Sequence, residues 1–243
     1  MKKKLTVIVD NNPFDEKLKT DWGFSTLLEV EDLKILFDLG NEPEIFANNV
    51  EKLGLDLSDV DYLFISHYDS DHIGGLNYFL EKNRKASIFV PYNPDYFDLN
   101  DKIRKIGLKV EVVTNPIPIG PRIYKIFSTG VVSSFPRPEH SLFLFGKDGY
   151  SIIAGCSHPK VWNIAKRVEE ITGFDYIDMY IGGYHFYRMN DDEIKEAVRN
   201  VIKSGIRRVG ACHCTGDKAR SVLRDLYGKS FIEIGVGKVL EWY

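Results

Sequence analysis

The chain has 243 residues, of which 44% are apolar, so it can bury one substantial core, and we expect a single domain over residues 1–243. A formal net charge of -3 argues against a broad nucleic-acid-binding surface. No apolar run is long enough to span a bilayer, and no secretory signal precedes the first predicted strand.

In the predicted elements, mixed strands come first and two alternations of strand and helix follow. Apolar runs bounded by turn residues predict strands over residues 5–9, 23–30, 33–37, 60–65, 87–90, 109–113, 123–127, 141–145, 150–155, 176–183 and 208–212, and a closing strand pair over 232–240. Helical spacing predicts helices over 43–53, 76–82, 102–107 and 219–227, one with Pro159 at its first position, and one capped by Asn190 and Glu193. This order suits an αββα sandwich.

One predicted turn between a strand and a helix carries four potential metal ligands within six residues. It reads Ser66-His67-Tyr68-Asp69-Ser70-Asp71-His72-Ile73-Gly74-Gly75. Imidazole and carboxylate together suit a borderline divalent ion such as zinc, iron or manganese. The alternative is that Asp71 caps the following helix and that the two histidines are solvated loop residues. Asp38, at an earlier strand end, either accepts bonds from the backbone of this turn or is an ordinary turn residue.

Three further histidines follow predicted strands in the same way. They are His158, His185 and His213, and each lies before a predicted helix. Because α/β folds gather such turns at the carboxyl ends of their strands, we expect these imidazoles to share a metal site with the first turn.

The run from His67 to His72, followed by Gly74-Gly75, resembles the H-x-H-x-D-H metal motif of the metallo-β-lactamase fold superfamily. Three later blocks resemble its branch of metal-dependent hydrolases related to 7,8-dihydropterin-6-methyl-4-(β-D-ribofuranosyl)aminobenzene-5′-phosphate synthase: Gly155-Cys156-Ser157-His158-Pro159, Gly182-Gly183-Tyr184-His185 and His213-Cys214-Thr215-Gly216. The resemblance implies an α/β (α+β) fold, the four-layer αββα sandwich of the metallo-β-lactamase type.

The resemblance also implies two metal ions with three protein ligands each. The implied ligands are His67, Asp69 and His158 on the first ion, and Asp71, His72 and His213 on the second. Asp69 stands where the superfamily usually has a histidine, and its harder carboxylate favours iron or manganese, with zinc still possible. Alternatively, the first position is degenerate and one ion binds. The usual bridging aspartate would fall near Cys156, so the bridge is solvent alone, or Asp71 or Cys156 contributes to it.

The chain has three cysteines, Cys156, Cys212 and Cys214, with no C-x-x-C pair. An odd number of thiols close to predicted ligands favours a reducing cytoplasm over a disulfide framework. We therefore expect a cytoplasmic protein.

Asp71 and His185 are the candidate catalytic residues. His185 is suited to proton transfer or to stabilising negative charge, but it is alternatively a further ligand or a core residue. The aromatic residues Tyr184, Phe186 and Tyr187 beside it either stack on a flat substrate ring or pack in the core.

Three residues are candidates for substrate binding. Lys160 is either a handle for phosphate or carboxylate, or a surface lysine. The Thr215 hydroxyl and the backbone amides of its turn can hold a phosphate. His140 is either a pocket residue or a partly exposed loop histidine.

The predicted function is that of a metal-dependent hydrolase in which metal-activated water attacks a phosphorylated or pterin-like small molecule. One alternative is redox or oxygen chemistry at a di-iron site, which the carboxylate of Asp69 favours. Another is a non-enzymatic metal-binding sensor. The net charge disfavours nucleic acid as a substrate.

Overall fold

The computed structural model describes residues 1–132 and 136–243. The strands of these residues are β1 (Lys3–Val9), β2 (Ser25–Val30), β3 (Leu33–Phe37), β4 (Tyr62–Phe64), β5 (Ser87–Pro91), β6 (Lys109–Val113), β7 (Ile117–Pro118), β8 (Ile126–Ser128), β9 (Leu142–Gly146), β10 (Gly149–Ala154), β11 (Ile177–Gly183), β12 (Arg208–Cys212) and β13 (Val239–Trp242). The α-helices are α1 (Pro43–Lys52), α2 (Ser70–Ile73), α3 (Leu76–Lys82), α4 (Phe97–Lys105), α5 (Val161–Thr172), α6 (Asp191–Lys203) and α7 (Asp217–Tyr227).

Residues 1–114 and 235–243 form the first of two compact units. Its seven-stranded sheet has the order β13-β1-β2-β3-β4-β5-β6, antiparallel from β13 to β3 and parallel from β3 to β6. The predicted hairpin is confirmed, since β2 and β3 pair from Thr26 with Phe37 to Val30 with Leu33. Because β3 and β4 are parallel neighbours, the residues that follow them start at the same edge of the sheet.

Helices α1 and α3 cover one face of this sheet. Phe46 of α1 and Phe79 of α3 are fully buried, in one cluster with strand residues such as Ile8 and Leu63. Burying each phenylalanine contributes roughly 2 kcal/mol relative to leaving it exposed. This packing fixes α1, which follows β3, and α3, which follows the loop after β4.

Residues 115–234 form the second unit, with a six-stranded sheet in the order β12-β11-β10-β9-β8-β7. The strands β10, β11 and β12 are parallel, and the remaining pairs are antiparallel. Apolar residues of α5 and α6, among them Ile164 and Val198, pack on these strands. The loops that follow β10, β11 and β12 therefore begin at one edge of this sheet.

Most predicted elements are present, including the capping box of Asn190 and Glu193 at the start of α6. The predicted helix over 102–107 instead covers Phe97–Lys105. The predicted strand over 123–127 is a 3₁₀ turn followed by β8, because Lys125 has a left-handed backbone with φ of 52°.

Two further predictions differ from the structure. The helix predicted from Pro159 begins at Val161, because Lys160 has a φ of 80°, outside the helical range. The predicted strand pair over 232–240 is reduced to β13. A Cβ on Gly235 would lie 2.7 Å from the Asn12 carbonyl oxygen, so the chain makes a close approach there.

No helix within the described residues, 1–132 and 136–243, is long and apolar enough to cross a membrane.

Candidate metal centre

The loop from β4 to α3 carries four of the predicted ligands, which we call the first ligand group: His67, Asp69, Asp71 and His72. The rings of its two histidines lie 4.1 Å apart between centroids, and both side chains are buried. The alternative of solvated loop histidines is therefore wrong. Capping by Asp71 is also wrong, because Asp71 lies inside α2 and Asp69 holds the cap position.

The carboxylate of Asp38, at the end of β3, holds both histidines. Its Oδ1 accepts the Ser66 backbone N–H at 2.7 Å. Its Oδ2 accepts the Ser66 hydroxyl at 2.7 Å and lies 2.6 Å from Nδ1 of His72. The Ser66 Oγ lies 2.9 Å from Nδ1 of His67, and the hydroxyl has already given its one proton to Asp38, so Nδ1 of His67 is the donor. The prediction that Asp38 accepts bonds from the backbone of this turn is confirmed.

These bonds determine the tautomers of both rings. Nδ1 carries the proton in His67 and His72, so Nε2 of each neutral ring carries the lone pair that binds a metal. Nε2 of His67 lies 3.7 Å from Oδ2 of Asp69, and Nε2 of His72 lies 3.8 Å from Oδ2 of Asp71. Two ligands bound to one tetrahedral zinc ion lie about 3.4 Å apart. Each His–Asp pair therefore fits one divalent ion after a small adjustment.

Gly74 lets this loop lie directly against the segment that follows β3. Its N–H donates to the Gly40 carbonyl at 2.8 Å, and the His72 carbonyl accepts the Leu39 N–H at 2.9 Å. A Cβ on Gly74 would lie 1.8 Å from the Asn41 carbonyl oxygen, so only glycine fits. These backbone bonds fix the C-terminal end of the helical turn that carries Asp71.

The second unit brings together residues from its three strand-end loops, which we call the second ligand group: Cys156, His158, His185, His213 and Cys214. The rings of His158 and His185 lie 4.4 Å apart. The Cys156 Sγ lies 3.3 Å from Nε2 of His213 and 3.3 Å from the Cys214 Sγ. Imidazole and thiol are both good ligands for zinc and iron. The predicted ligands His158 and His213 therefore lie in a setting that suits a metal.

The backbone of the loop after β10 is held by Glu139, a residue that the sequence reasoning missed. Its fully buried carboxylate accepts the backbone N–H of Cys156 at 3.0 Å, of Ser157 at 2.9 Å and of His158 at 2.8 Å. Glu139 therefore positions the second ligand group much as Asp38 positions the first. The available signal was an acidic residue shortly before the buried strand β9.

Backbone strain is concentrated in the loops of the second ligand group. Ser157, Lys160, His185 and His213 have φ values of 56°, 80°, 57° and 47°. Each left-handed residue other than glycine costs roughly 1–2 kcal/mol, and such residues are most common at functional sites. The Ser157 hydroxyl helps to hold this geometry, since it donates to the Gly183 carbonyl at 2.5 Å.

The Cys214 thiol has a perturbed pKa. Burial raises the pKa, but the hydrogen bonds with Cys156, His185 and His213, together with the charge of His213, hold it well below its usual range. A lower pKa favours the thiolate, which is the form that binds metals.

The three predicted substrate-binding residues have different surroundings. His140 is fully buried with Nδ1 3.0 Å from the Ser128 Oγ, so the alternative of a partly exposed loop histidine is wrong. The buried Thr215 hydroxyl donates its one proton to the Cys212 carbonyl at 2.6 Å and is thus engaged within the fold. Lys160 is half-buried at the N-cap of α5, and its role as an anion ligand stays a prediction.

Two of the three aromatic residues around His185 belong to the core. Tyr184 and Phe186 are fully buried in the apolar cluster of the second unit, so stacking on a substrate is wrong for both. Tyr187 is exposed, and its ring is perpendicular to that of His185 at 5.4 Å. Tyr187 is thus the aromatic side chain of the three that a ligand can reach.

A family model described as the metallo-beta-lactamase superfamily matches residues 22–158 of this chain. A curated protein of Methanocaldococcus jannaschii, named 7,8-dihydropterin-6-methyl-4-(beta-D-ribofuranosyl)-aminobenzene-5'-phosphate synthase, is 25% identical, with 98% of this chain and 95% of the relative covered. A solved structure described as a metal-dependent hydrolase of the beta-lactamase superfamily has a TM-score of 0.77 and 26% identity, with 98% of each chain covered. A metallo-beta-lactamase fold protein from Bacillus subtilis has a TM-score of 0.69 and 15% identity, with 99% of this chain and 100% of its own covered.

These matches confirm the predicted fold class, the αββα fold of the metallo-β-lactamase type. The family match includes the whole first ligand group, and also Glu139 and His158 of the second unit. His185 and His213 lie beyond the matched residues, so their assignment depends on their geometry within the second unit.

Proposed function

We propose that this chain, which belongs to the metallo-β-lactamase superfamily, is a metal-dependent hydrolase. Its substrate in this proposal is a phosphorylated or pterin-like small molecule. The proposed ligands are those predicted from the sequence: His67, Asp69, Asp71, His72, His158 and His213.

The observation that carries this proposal is the orientation of the two histidines of the first ligand group. Nδ1–H of His67 donates to the Ser66 hydroxyl oxygen, and Nδ1–H of His72 donates to the Asp38 carboxylate. The Nε2 lone pairs of both rings therefore face the carboxylate oxygens of Asp69 and Asp71. A purely structural pair of buried histidines has no need for this arrangement. It is the arrangement that metal-binding histidines use, with the other ring nitrogen held by a carboxylate or a hydroxyl.

A bound ion would supply the chemistry of the proposed reaction, because it lowers the pKa of a water molecule and polarises a substrate oxygen. The carboxylate of Asp69, in place of a third imidazole, makes the first ligand group harder and more anionic. This supports iron or manganese beside zinc as the native metal.

The chain's own residues orient the ligands and recognise the substrate. Asp38 and Glu139 hold the two ligand loops by bonds to backbone N–H groups, so the ligands are in place before any ion binds. Tyr187 offers an exposed ring for a flat substrate group, and Arg188 lies over it at 5.1 Å. The sequence left proton transfer, stabilisation of negative charge and metal ligation open for His185, and its position beside the thiols of Cys156 and Cys214 favours ligation.

The substrate class is supported by the name of the Methanocaldococcus jannaschii relative, which is a synthase of a dihydropterin compound that carries a ribofuranosyl phosphate. Lys160 is half-buried as a residue, and its ammonium group is the proposed handle for an anionic part of the substrate. We propose a small-molecule substrate and a cytoplasmic location, the latter from the three cysteines, which are all free.

The test is an assay of the purified protein, freed of metal and reloaded with zinc, iron(II) or manganese(II), against a phosphodiester and a dihydropterin pyrophosphate. Turnover that requires the metal and is lost in His72→Ala is the expected result. Cys212→Ala is the control, since this buried cysteine is outside the proposed ligands. Bound metal without turnover of either substrate would favour a sensor, and a reducible iron centre would favour redox chemistry.

A further inference from the structure

Two buried thiols and an imidazole of the second ligand group have no role among the six ligands proposed for the hydrolase. The Sγ atoms of Cys156 and Cys214 lie 3.3 Å apart, although the residues are 58 positions apart in the chain. One potential ligand atom from each of Cys156, His185 and Cys214 lies within 4.8 Å of the others. Both cysteines are almost completely buried.

The donor set of these residues is that of a site for a thiophilic ion. Two sulfur ligands at about 2.3 Å from a tetrahedral zinc ion lie roughly 3.8 Å apart, so small side-chain rotations would admit an ion between these thiols. Nδ1 of His185 is also buried, and it has no hydrogen-bond partner in the part of the chain that the structure describes. A buried polar atom of this kind is costly unless something binds it.

The surrounding backbone is built to bring these side chains together. A Cβ on Gly183 would lie 2.5 Å from the Cys214 Sγ, so a glycine is needed where β11 passes this thiol. His185 has a left-handed φ of 57°, and Glu139 fixes the N–H of Cys156. Strain and close packing of this kind are not needed to bury two cysteines in a core.

We propose that Cys156, Cys214 and His185 form a site for a thiophilic divalent cation, with zinc as the best match, within the second unit. With three protein ligands, such an ion keeps an open coordination position, to which water or an anionic ligand can bind. None of its three ligands is among the six proposed for the hydrolase, although the Cys156 Sγ lies 3.3 Å from Nε2 of the proposed ligand His213, so the two proposals need separate readouts.

The test uses cobalt(II) chloride as a spectroscopic probe of the full-length protein freed of metal. A thiolate bound to cobalt gives a charge-transfer band in the near ultraviolet, which nitrogen and oxygen ligands do not give. We expect this band in the wild type, a loss of about half of it in Cys214→Ser or Cys156→Ser, and a changed ligand-field spectrum in His185→Gln. Cys212→Ser is the matched control and should keep the full band, because Cys212 is a buried thiol at the end of β12 outside the cluster.

Absence of the band in the wild type, or equal loss in Cys212→Ser, would overturn the proposal. If the cysteine variants fail to fold, the test is X-ray absorption spectroscopy of the zinc-loaded wild type. Sulfur ligands at about 2.3 Å from zinc are the expected result, and a coordination shell of nitrogen and oxygen alone would contradict the proposal. A His67→Ala variant separates the two proposals. It should keep the thiolate band while it loses turnover, whereas failure of the hydrolase proposal alone would leave the band in a protein without turnover.

Discussion

Replacing Asp38 with asparagine tests how the ligands of the first group are held. The Asp38 carboxylate accepts three hydrogen bonds, one on Oδ1 and two on Oδ2. In Asp38→Asn, one oxygen becomes an NH₂ group, and either orientation of the amide places this donor against at least one existing donor. If the backbone N–H of Ser66 keeps its acceptor, Nδ1 of His72 loses the acceptor of its proton. His72 then changes to the tautomer with the proton on Nε2, where the metal would bind.

The expected loss follows from this change. Removing such a hydrogen-bond partner of a ligating histidine typically lowers metal affinity 10–100-fold, which corresponds to about 1.4–2.7 kcal/mol. The metal-free protein should also lose about 1–3 kcal/mol of unfolding free energy, because the buried Ser66 hydroxyl loses the oxygen that accepts its proton. Both effects should be present, because Asp38 is fully buried and water cannot replace the lost acceptor.

The assay is a competition titration of zinc or cobalt(II) against a chromophoric chelator, with nitrogen NMR of the histidine rings to identify the tautomer. Asp61→Asn is the matched control. The carboxylate of Asp61 accepts the Lys34 backbone N–H at 3.0 Å in the same unit but lies outside the ligand loop. An affinity of Asp38→Asn within about two-fold of the wild type, or an equal loss in Asp61→Asn, would refute the reasoning.

Three further predictions concern Glu139, Gly74 and Tyr68. Glu139→Gln should lose roughly 1.5–3 kcal/mol of unfolding free energy in urea titrations, because its NH₂ group would face a backbone N–H such as that of His158. Gly74→Ala should lose about 3 kcal/mol or more, because its Cβ would overlap the Asn41 carbonyl, and metal binding should weaken with it. Burial raises the pKa of Tyr68 to about 12, so between pH 10 and 12 the unfolded chain loses a proton that the folded chain keeps. Stability of the wild type should therefore fall by about 1.4 kcal/mol per pH unit in this range through this group, and Tyr68→Phe should lack that part of the slope.

Each of these predictions has its own control or contrary result. Gly54→Ala is the control for Gly74→Ala. It should lower the unfolding free energy by only about 1–2 kcal/mol, because Gly54 has a left-handed φ of 65° but nothing within 4 Å of the added Cβ. A Glu139→Gln protein as stable as the wild type would mean that the three N–H bonds contribute little. Parallel alkaline slopes for the wild type and Tyr68→Phe would show that the phenol titrates at an ordinary pKa when folded.

The sequence predicted the features of the candidate site that are local. The spacing from His67 to His72 and the position of Asp38 at a strand end are visible in one dimension, and each was found where expected. The strand-end positions of His158 and His213 follow from alternation of strands and helices. Such patterns are reliable because the order of elements alone determines which edge of a sheet a loop leaves.

The features that the sequence did not predict depend on contacts between distant segments. Glu139 acts on backbone N–H groups 17–19 residues later, and its side chain type carries no sign of this role. The contact between Cys156 and Cys214 requires the order β12-β11-β10 in the sheet. For Tyr184 and Phe186, the alternation of a short segment did not decide between a core position and a ligand-facing one, and tertiary packing placed both inside.

The central claim is that the first ligand group binds a divalent metal ion. Its most direct test is elemental analysis of protein purified without added metal, for the wild type and for the double variant His67→Ala/His72→Ala. We predict that the wild type carries one or more divalent ions of zinc, iron or manganese per chain, and that the double variant loses those held by the first ligand group. A folded wild type that carries no transition metal, and that binds none in a chelator competition, would contradict the account.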